Sequence, residues 1–316
     1  MESTVKEFLS RLVKKRNLIK FNKALANVID TPPISSVDHS DVLLVSQVHH
    51  AAVKMSLVAI KSFIQKFGDC KIELINDGSL TDSDLSLLTS HIKNVIIVNI
   101  EDIDRLSCPK GGCWERLCYL LKRTEDYYVI QLDSDTVTIG AVPEIRQQVD
   151  NNRGFTIGGP MFPDPVPIDY MSKLAESWKN SHVQAKAESN LSALKVLNIT
   201  HYLRGCAAFT GFPKGSHLQT LLPEVSEIME KQLGKATWSE WGTEQFSSNV
   251  MQSLCEHSQI LKWPKYHNHG FPSYETKKPG LNGYLGKVSL IHFIGPTRFS
   301  NDLYTQAIQH TIQSLR

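Results

Sequence analysis

From Asp41 onward the chain alternates two hydrophobic patterns. Short apolar runs are followed by segments in which apolar residues recur every three or four positions, the periods that separate strands from helices. The first run, Asp41 to Val48, predicts a strand, and Met55, Val58, Ala59, Ser62 and Phe63 predict the helix after it. Lys71 to Asn76 reads as a second strand ending in Asp77-Gly78-Ser79. Thr81 opens a helix with Asp84 in a capping-box position, and Leu85, Leu88 and Ile92 line one face. Asn94 to Ile100 is a third strand, Trp114 to Arg123 a helix, and Tyr127 to Leu132 a fourth strand. Strands alternating with helices across short turns imply an α/β fold, with a mixed but mostly parallel sheet of Rossmann type and helices on both faces.

Beyond Asp135 the pattern loses its regularity. Phe155 to Gly158 reads as a strand, Asp169 to Leu197 as largely helical, and Tyr202 to Gly211 as a short segment rich in small residues. Lys214 to Leu233 and Trp238 to His257 read as helices, and Lys287 to Phe293 as a strand. This asymmetry suggests a nucleotide-binding half over about 41–140 and an acceptor-side half over about 141–300, both within one domain of residues 36–316.

Residues 1–35 form a separate helical segment closed by Pro32-Pro33. In it Val5, Phe8, Leu9, Leu12 and Val13 follow amphipathic spacing. Residues 1–30 hold seven basic and three acidic side chains, a balance of +4, which leaves the remainder at −2 of the overall +2. Such a helix suits weak peripheral contact of residues 1–22 with an anionic membrane, or docking on its own domain. The small overall charge argues against nucleic acid. No apolar run reaches a membrane span, and six cysteines over 316 residues make no disulfide scaffold. Both facts fit a cytoplasmic protein, peripheral at most to the inner face of a membrane. Cys108, Cys113 and Cys118 lack zinc-site spacing and read as buried thiols.

The candidate chemistry begins where the fourth strand ends, at Asp133-Ser134-Asp135. Carboxylates at the carboxyl end of a buried strand lie where open α/β sheets bind ligands, and hard oxygen donors suit Mg²⁺ or Mn²⁺. The competing reading is a turn with an Asx cap. Far away in sequence, His292 closes an apolar run, Gly295 permits close backbone approach, and Arg298 offers a planar cation for phosphate.

An Asp-x-Asp after a buried strand, joined to a late His-x-x-Gly-x-x-Arg, resembles the metal-dependent glycosyltransferases with the GT-A fold. The likeness is greatest to the glycogenin and lipopolysaccharide-galactosyltransferase type. The resemblance implies that Asp133, Asp135 and His292 bind Mn²⁺ (or Mg²⁺). Arg298, Gly295 and Ser134 then lie against the diphosphate of a nucleotide sugar, with UDP favoured. Trp114-Glu115-Arg116-Leu117 matches the family's aromatic-x-Arg-Leu element and implies a place for Arg116 near the donor. The family's Lys-Pro-Trp is Arg298-Phe299-Ser300 here. In this fold Ser46 and Asp77 occupy positions that hold the nucleoside.

Glu244-Gln245 resembles the late acid-Gln element of such enzymes. Glu244 would be a general base in an inverting reaction, or else a group that touches the acceptor or caps a helix, whereas Gln245 or backbone groups would lie beneath the anomeric carbon in a retaining one, the outcome the resemblance favours. Trp238, Trp241, Trp263 and Tyr266 are either sugar platforms or core. His49-His50 and His267-Asn268-His269 read as surface or outer-sphere residues. The expected activity is transfer of a hexose from a nucleotide-diphosphate sugar to a carbohydrate, lipid-linked or protein acceptor. The alternatives are a catalytically silent nucleotide- or glycan-binding protein, and a sugar-1-phosphate nucleotidyltransferase, for which the first strand lacks a Gly-rich loop.

Overall fold

A computed structural model describes residues 2–179, 182–270 and 280–316, except the side chains of residues 2–6, 8, 9 and 296. Its strands of three or more residues, in chain order, are β1 (Val42–Val48), β2 (Lys71–Asn76), β3 (Ile96–Asn99), β4 (Tyr128–Leu132), β5 (Thr136–Thr138), β6 (Phe155–Ile157), β7 (Cys206–Phe212), β8 (Gln259–Leu261), β9 (Tyr266–His269) and β10 (Leu290–Phe293). The helices are α1 (Glu2–Ala26), α2 (Val53–Phe67), α3 (Asp82–His91), α4 (Trp114–Arg123), α5 (Pro143–Asp150), α6 (Ile168–Ser177), α7 (Val183–Ser189), α8 (Leu222–Leu233), the single turn α9 (Lys235–Trp238), α10 (Thr243–Leu254) and α11 (Leu303–Leu315).

A seven-stranded sheet runs in the order β8-β6-β7-β4-β1-β2-β3. Only β7 is antiparallel to its neighbours, so the sheet is mixed and mostly parallel as the alternation predicts. The chain walks outward from β1 to β2 and β3, then crosses back so that β4 pairs on the other side of β1, with Val45 opposite Gln131. That reversal makes a crevice at the carboxyl ends of β1 and β4, and the β4 run ends in Asp133 there.

Both faces of the sheet are covered, which is why β1 and β4 read as continuous apolar runs. On one face Leu44, Ile130 and Leu132 pack in a core with Val58, Ile60 and Phe63 of α2. On the other, Leu43, Val45 and Val129 join Leu117 and Leu121 of α4 and Phe246 and Val250 of α10. Each such buried side chain stabilises the fold by roughly 1.5–3 kcal/mol. Trp114 Nε1 donates to Thr243 Oγ1 at 3.0 Å, and its ring meets Trp238 edge-on at 5.5 Å, locking α4 to α10.

The expected Thr81 capping box is present: Thr81 Oγ1 accepts from the Asp84 amide and the Asp84 carboxylate accepts from the Thr81 amide. Two expected helices are broken. Lys214 to Leu221 is turn and 3₁₀ structure, because Gly215 and His217 adopt positive φ and Pro223 sits in the first turn of α8. Gly242 (φ 107°) breaks the expected helix Trp238 to His257: Trp238 ends α9 and α10 begins only at Thr243. The small-residue segment became β7. Elements that periodicity did not predict include β5, α5, β8, β9 and α11; the strands among them have three or four residues, too few to show a period.

A second, three-stranded sheet has the order β9-β10-β5. β10 is antiparallel to β5, with His292 opposite Thr136, and parallel to β9, with His292 opposite Asn268. The helix α1 docks through Phe21, Ala24 and Leu25, and Phe21 packs on Phe299 and Tyr304 at 5.1 and 4.4 Å between centroids. The stripe expected to be its apolar face behaves otherwise where it is described: Leu12 and Val13 are exposed, and Val5, Phe8 and Leu9 lie outside the described side chains. No described helix is long and apolar enough to cross a membrane.

Candidate metal and donor site

The turn after β4 is tight. The Asp133 amide donates to the Ala208 carbonyl on β7 at 2.8 Å, and Thr136 returns both its amide and its hydroxyl to the Asp133 carbonyl at 3.2 and 2.8 Å. Two residues further, the Phe293 amide donates to the Asp135 carbonyl at 2.8 Å, extending the β5–β10 ladder back to the motif. This register carries His292 to the aspartates across 157 residues of sequence (292 − 135). One ligand atom each from Asp133, Asp135 and His292 lies within 4.8 Å of the others.

The tautomer of His292 follows from its neighbours. Asn268 Nδ2 donates to the Gly158 carbonyl at 2.9 Å, so Oδ1 faces His292 and accepts from Nδ1–H at 2.8 Å. Nε2 is thereby turned to Asp135 Oδ1 at 3.4 Å. A ring with its far nitrogen hydrogen-bonded and its near nitrogen beside two carboxylates has the form of a metal-binding histidine. The donor set of one imidazole and two carboxylates fits a divalent cation of the Mn²⁺ or Mg²⁺ kind.

Charges around the aspartates are closely balanced. Arg298 Nη1 approaches Asp135 Oδ2 at 3.4 Å, and Arg116 Nη1 donates to Asp133 Oδ1 at 2.6 Å. Arg116 also donates through Nη2 to Glu244 Oε1 at 3.2 Å. Burial works to raise the Asp135 carboxyl, but His292 and Arg298 outweigh it and hold it below the usual range. Burial likewise disfavours the charged His292 ring, yet Asp135 raises it well above an ordinary histidine. Glu244 differs. Its burial, which Arg116 only partly offsets and the Asp133 charge reinforces, pushes it up to about 7.

The other expected site residues fall in distinct places. Gly295 has φ +29°, and no atom of the described residues lies within 4 Å of where its Cβ would be, next to the Arg298 turn. Ser134 is half-buried between the two aspartates. Asp77 lies at the carboxyl end of β2, its amide bonded to the Val48 carbonyl at 3.2 Å, and its Oδ1 accepts from the Ser79 amide and hydroxyl at 3.0 and 2.6 Å as an Asx turn does. Ser46 is 1% exposed and alternates with Leu44 and Val48 towards the α2 layer, whereas half-buried Gln47 points to the other face. Gln245 accepts from the Cys206 thiol at 3.3 Å and donates to Gln184 Oε1 at 2.7 Å.

Periodicity missed Gln184 and Cys206, which lie against Gln245. The run His267-Asn268-His269, expected at the surface or in an outer sphere, is a buried strand. Burial corrects the surface reading, and Asn268, bonded to His292 Nδ1, takes the outer-sphere place. His50 is exposed, as expected, and pairs with Asp84 at 2.7 Å. Trp238 and Tyr266 are core, whereas Trp241 is 72% exposed beside the start of α10. Cys108 and Cys118 are buried; Cys113 is half-exposed.

No protein-family model matches the chain, and no curated protein matches it in sequence. Solved structures do. The bifunctional glycosyltransferase WbbM aligns with 89% of this chain and 52% of its own, at 15% identity and TM-score 0.50. This chain thus spans about half of that protein. The galactosyltransferase LgtC, in complex with donor and acceptor sugar analogs, aligns with 86% of this chain and 95% of its own at 12% identity and TM-score 0.49. Mouse xyloside xylosyltransferase 1 aligns with 82% of this chain and 98% of its own at 13% identity and TM-score 0.46. The first of these likenesses shows a glycosyltransferase fold of the GT-A type.

Proposed function

We propose that the chain is a divalent-metal-dependent glycosyltransferase that takes a hexose from a UDP-sugar, with retention of anomeric configuration. The observation that carries this reading is the convergence of Asp133, Asp135 and His292 within 4.8 Å at the carboxyl edge of the sheet, beside two arginines. Asp133, Asp135 and His292 would hold the cation, and the imidazole favours Mn²⁺ over Mg²⁺. When bound, the cation would neutralise charge developing on the departing nucleoside diphosphate.

The protein's own groups would supply the rest. Arg298, now on Asp135, offers its fork to the diphosphate, and Gly295, whose missing Cβ would meet no described residue, would let phosphate approach the backbone. Ser134 lies between the ligands. Asp77 lies at the carboxyl end of β2, where a ribose or base would sit, whereas Ser46, expected there too, is buried under α2 and is not offered to a ligand. Glu244 is 4% exposed and engaged with Arg116, so it holds the guanidinium in place beside the donor. Gln245, fixed by Gln184, would face the donor sugar.

The test is release of UDP from UDP-hexoses with and without Mn²⁺, together with calorimetry of UDP binding. Wild type should release UDP only with the metal, and Asp135→Asn should lose the Mn²⁺ dependence of UDP binding. Full Mn²⁺ dependence in Asp135→Asn would sink the ligand assignment. Tight UDP-sugar binding with no release from any common UDP- or GDP-sugar would leave a silent nucleotide- or glycan-binding protein instead.

A further inference from the structure

Two stripes of α1 face opposite ways. Asn17, Phe21, Ala24 and Leu25, spaced i, i+4, i+7 and i+8, are buried against the body of the protein. Leu12, Lys15, Arg16, Ile19 and Lys23, spaced i, i+3, i+4, i+7 and i+11, lie on the side turned away. On this outer stripe Leu12 is 48% and Ile19 61% exposed, and the other three side chains are basic. From Ser10 to Ala26 the helix carries no acidic residue at all. A two-residue apolar ridge is too small for a stable protein interface, and a purely electrostatic surface would not need it. Apolar side chains bracketed by lysine and arginine on one exposed face match the boundary between anionic headgroups and acyl chains.

We propose that this outer face of α1 docks on an anionic membrane surface, with Leu12 and Ile19 entering the interface and Lys15, Arg16 and Lys23 contacting lipid phosphates. The docking also orients the candidate site. Asn17 Nδ2 donates to the Phe299 carbonyl at 3.0 Å, and Phe21 packs on the Phe299 ring, one residue beyond Arg298. The rim of the site therefore travels with α1. On the reading above as a glycosyltransferase, the lipid surface would be where the acceptor is met.

The experiment is sedimentation of the full chain with phosphatidylcholine vesicles and with vesicles one-third phosphatidylglycerol. Wild type should pellet with the anionic vesicles alone, and less as salt rises. Combined Lys15→Ala, Arg16→Ala and Lys23→Ala should weaken partitioning by about fivefold per charge, on the order of a hundredfold together. Leu12→Asp with Ile19→Asp should reduce binding to the level on neutral vesicles. Thermal midpoints equal to wild type would show that both variants fold. Failure of wild type to pellet, indifference to phosphatidylglycerol, or unchanged binding by either folded variant would overturn the proposal. UDP binding with Mn²⁺ in vesicle-free solution tests the transferase reading separately, since it needs no membrane.

Discussion

Replacing Asn268 by alanine tests whether His292 is oriented as a ligand. The substitution removes the acceptor at 2.8 Å from His292 Nδ1 and the donor at 2.9 Å from the Gly158 carbonyl. His292 is only 6% exposed, so its Nδ1–H would be left buried with only the weakly accepting Cys206 sulfur at 3.8 Å, at about 1–3 kcal/mol of stability. Freed of that bond, the ring can rotate or change tautomer, and loss of such an outer partner lowers metal affinity about 10–100-fold, or roughly 1.4–2.8 kcal/mol. The assay is calorimetric titration of Mn²⁺ into protein saturated with UDP. Asn268→Asp, which keeps an oxygen facing Nδ1, should recover most of the affinity while still lacking the bond to Gly158. Equal Mn²⁺ affinity in Asn268→Ala and wild type, with Asp135→Asn abolishing binding, would refute the orienting role.

Glu244 should impose a pH dependence on stability. Its folded pKa of about 7 lies above the ordinary 4.5, because burial penalises the ionised form. The folded state therefore binds more protons between those values. This contribution is fully present below pH 4.5 and is lost as pH rises through 7, on the order of 3 kcal/mol in all. Chemical denaturation at pH 5, 6, 7 and 8 should show the decline in wild type and a flatter profile in Glu244→Gln; identical profiles would count against a buried, protonatable Glu244. Arg116→Ala should destabilise by about 3–5 kcal/mol, since Asp133 and buried Glu244 lose their shared partner. A melting curve within a degree of wild type would contradict it. Gly211→Ala would drive a methyl group into the Phe155 ring and to 2.7 Å from the Tyr128 hydroxyl, at about 1–3 kcal/mol measured by denaturant midpoint. Thr81→Ala removes the hydroxyl that accepts from the Asp84 amide, leaving only the Asp84 half of the capping box, and should destabilise by about 1 kcal/mol, with loss of early amide protection in α3.

The sequence alone determined the regular half of the sheet. Runs such as Val42–Val48 and Tyr128–Leu132 are buried on both faces, and helices such as α2 and α4 repeat over enough turns to declare their period. It also determined that Asp133 and Asp135 end a buried strand, because the apolar run stops there. The irregular half resisted, since β5, β8 and β9 are three or four residues long and Gly242 breaks a helical pattern that looked continuous from Trp238 to His257. What only the tertiary structure decided is the partnership of those aspartates with His292. It arises from a strand register, β5 against β10, between segments that share no local signal. The same holds for Asn268, whose role comes from lying opposite His292 across the parallel β9–β10 pair. Local chemistry is written along the chain, but pairing register is a property of the packed sheets, where a slip of one residue would turn His292 to the other face.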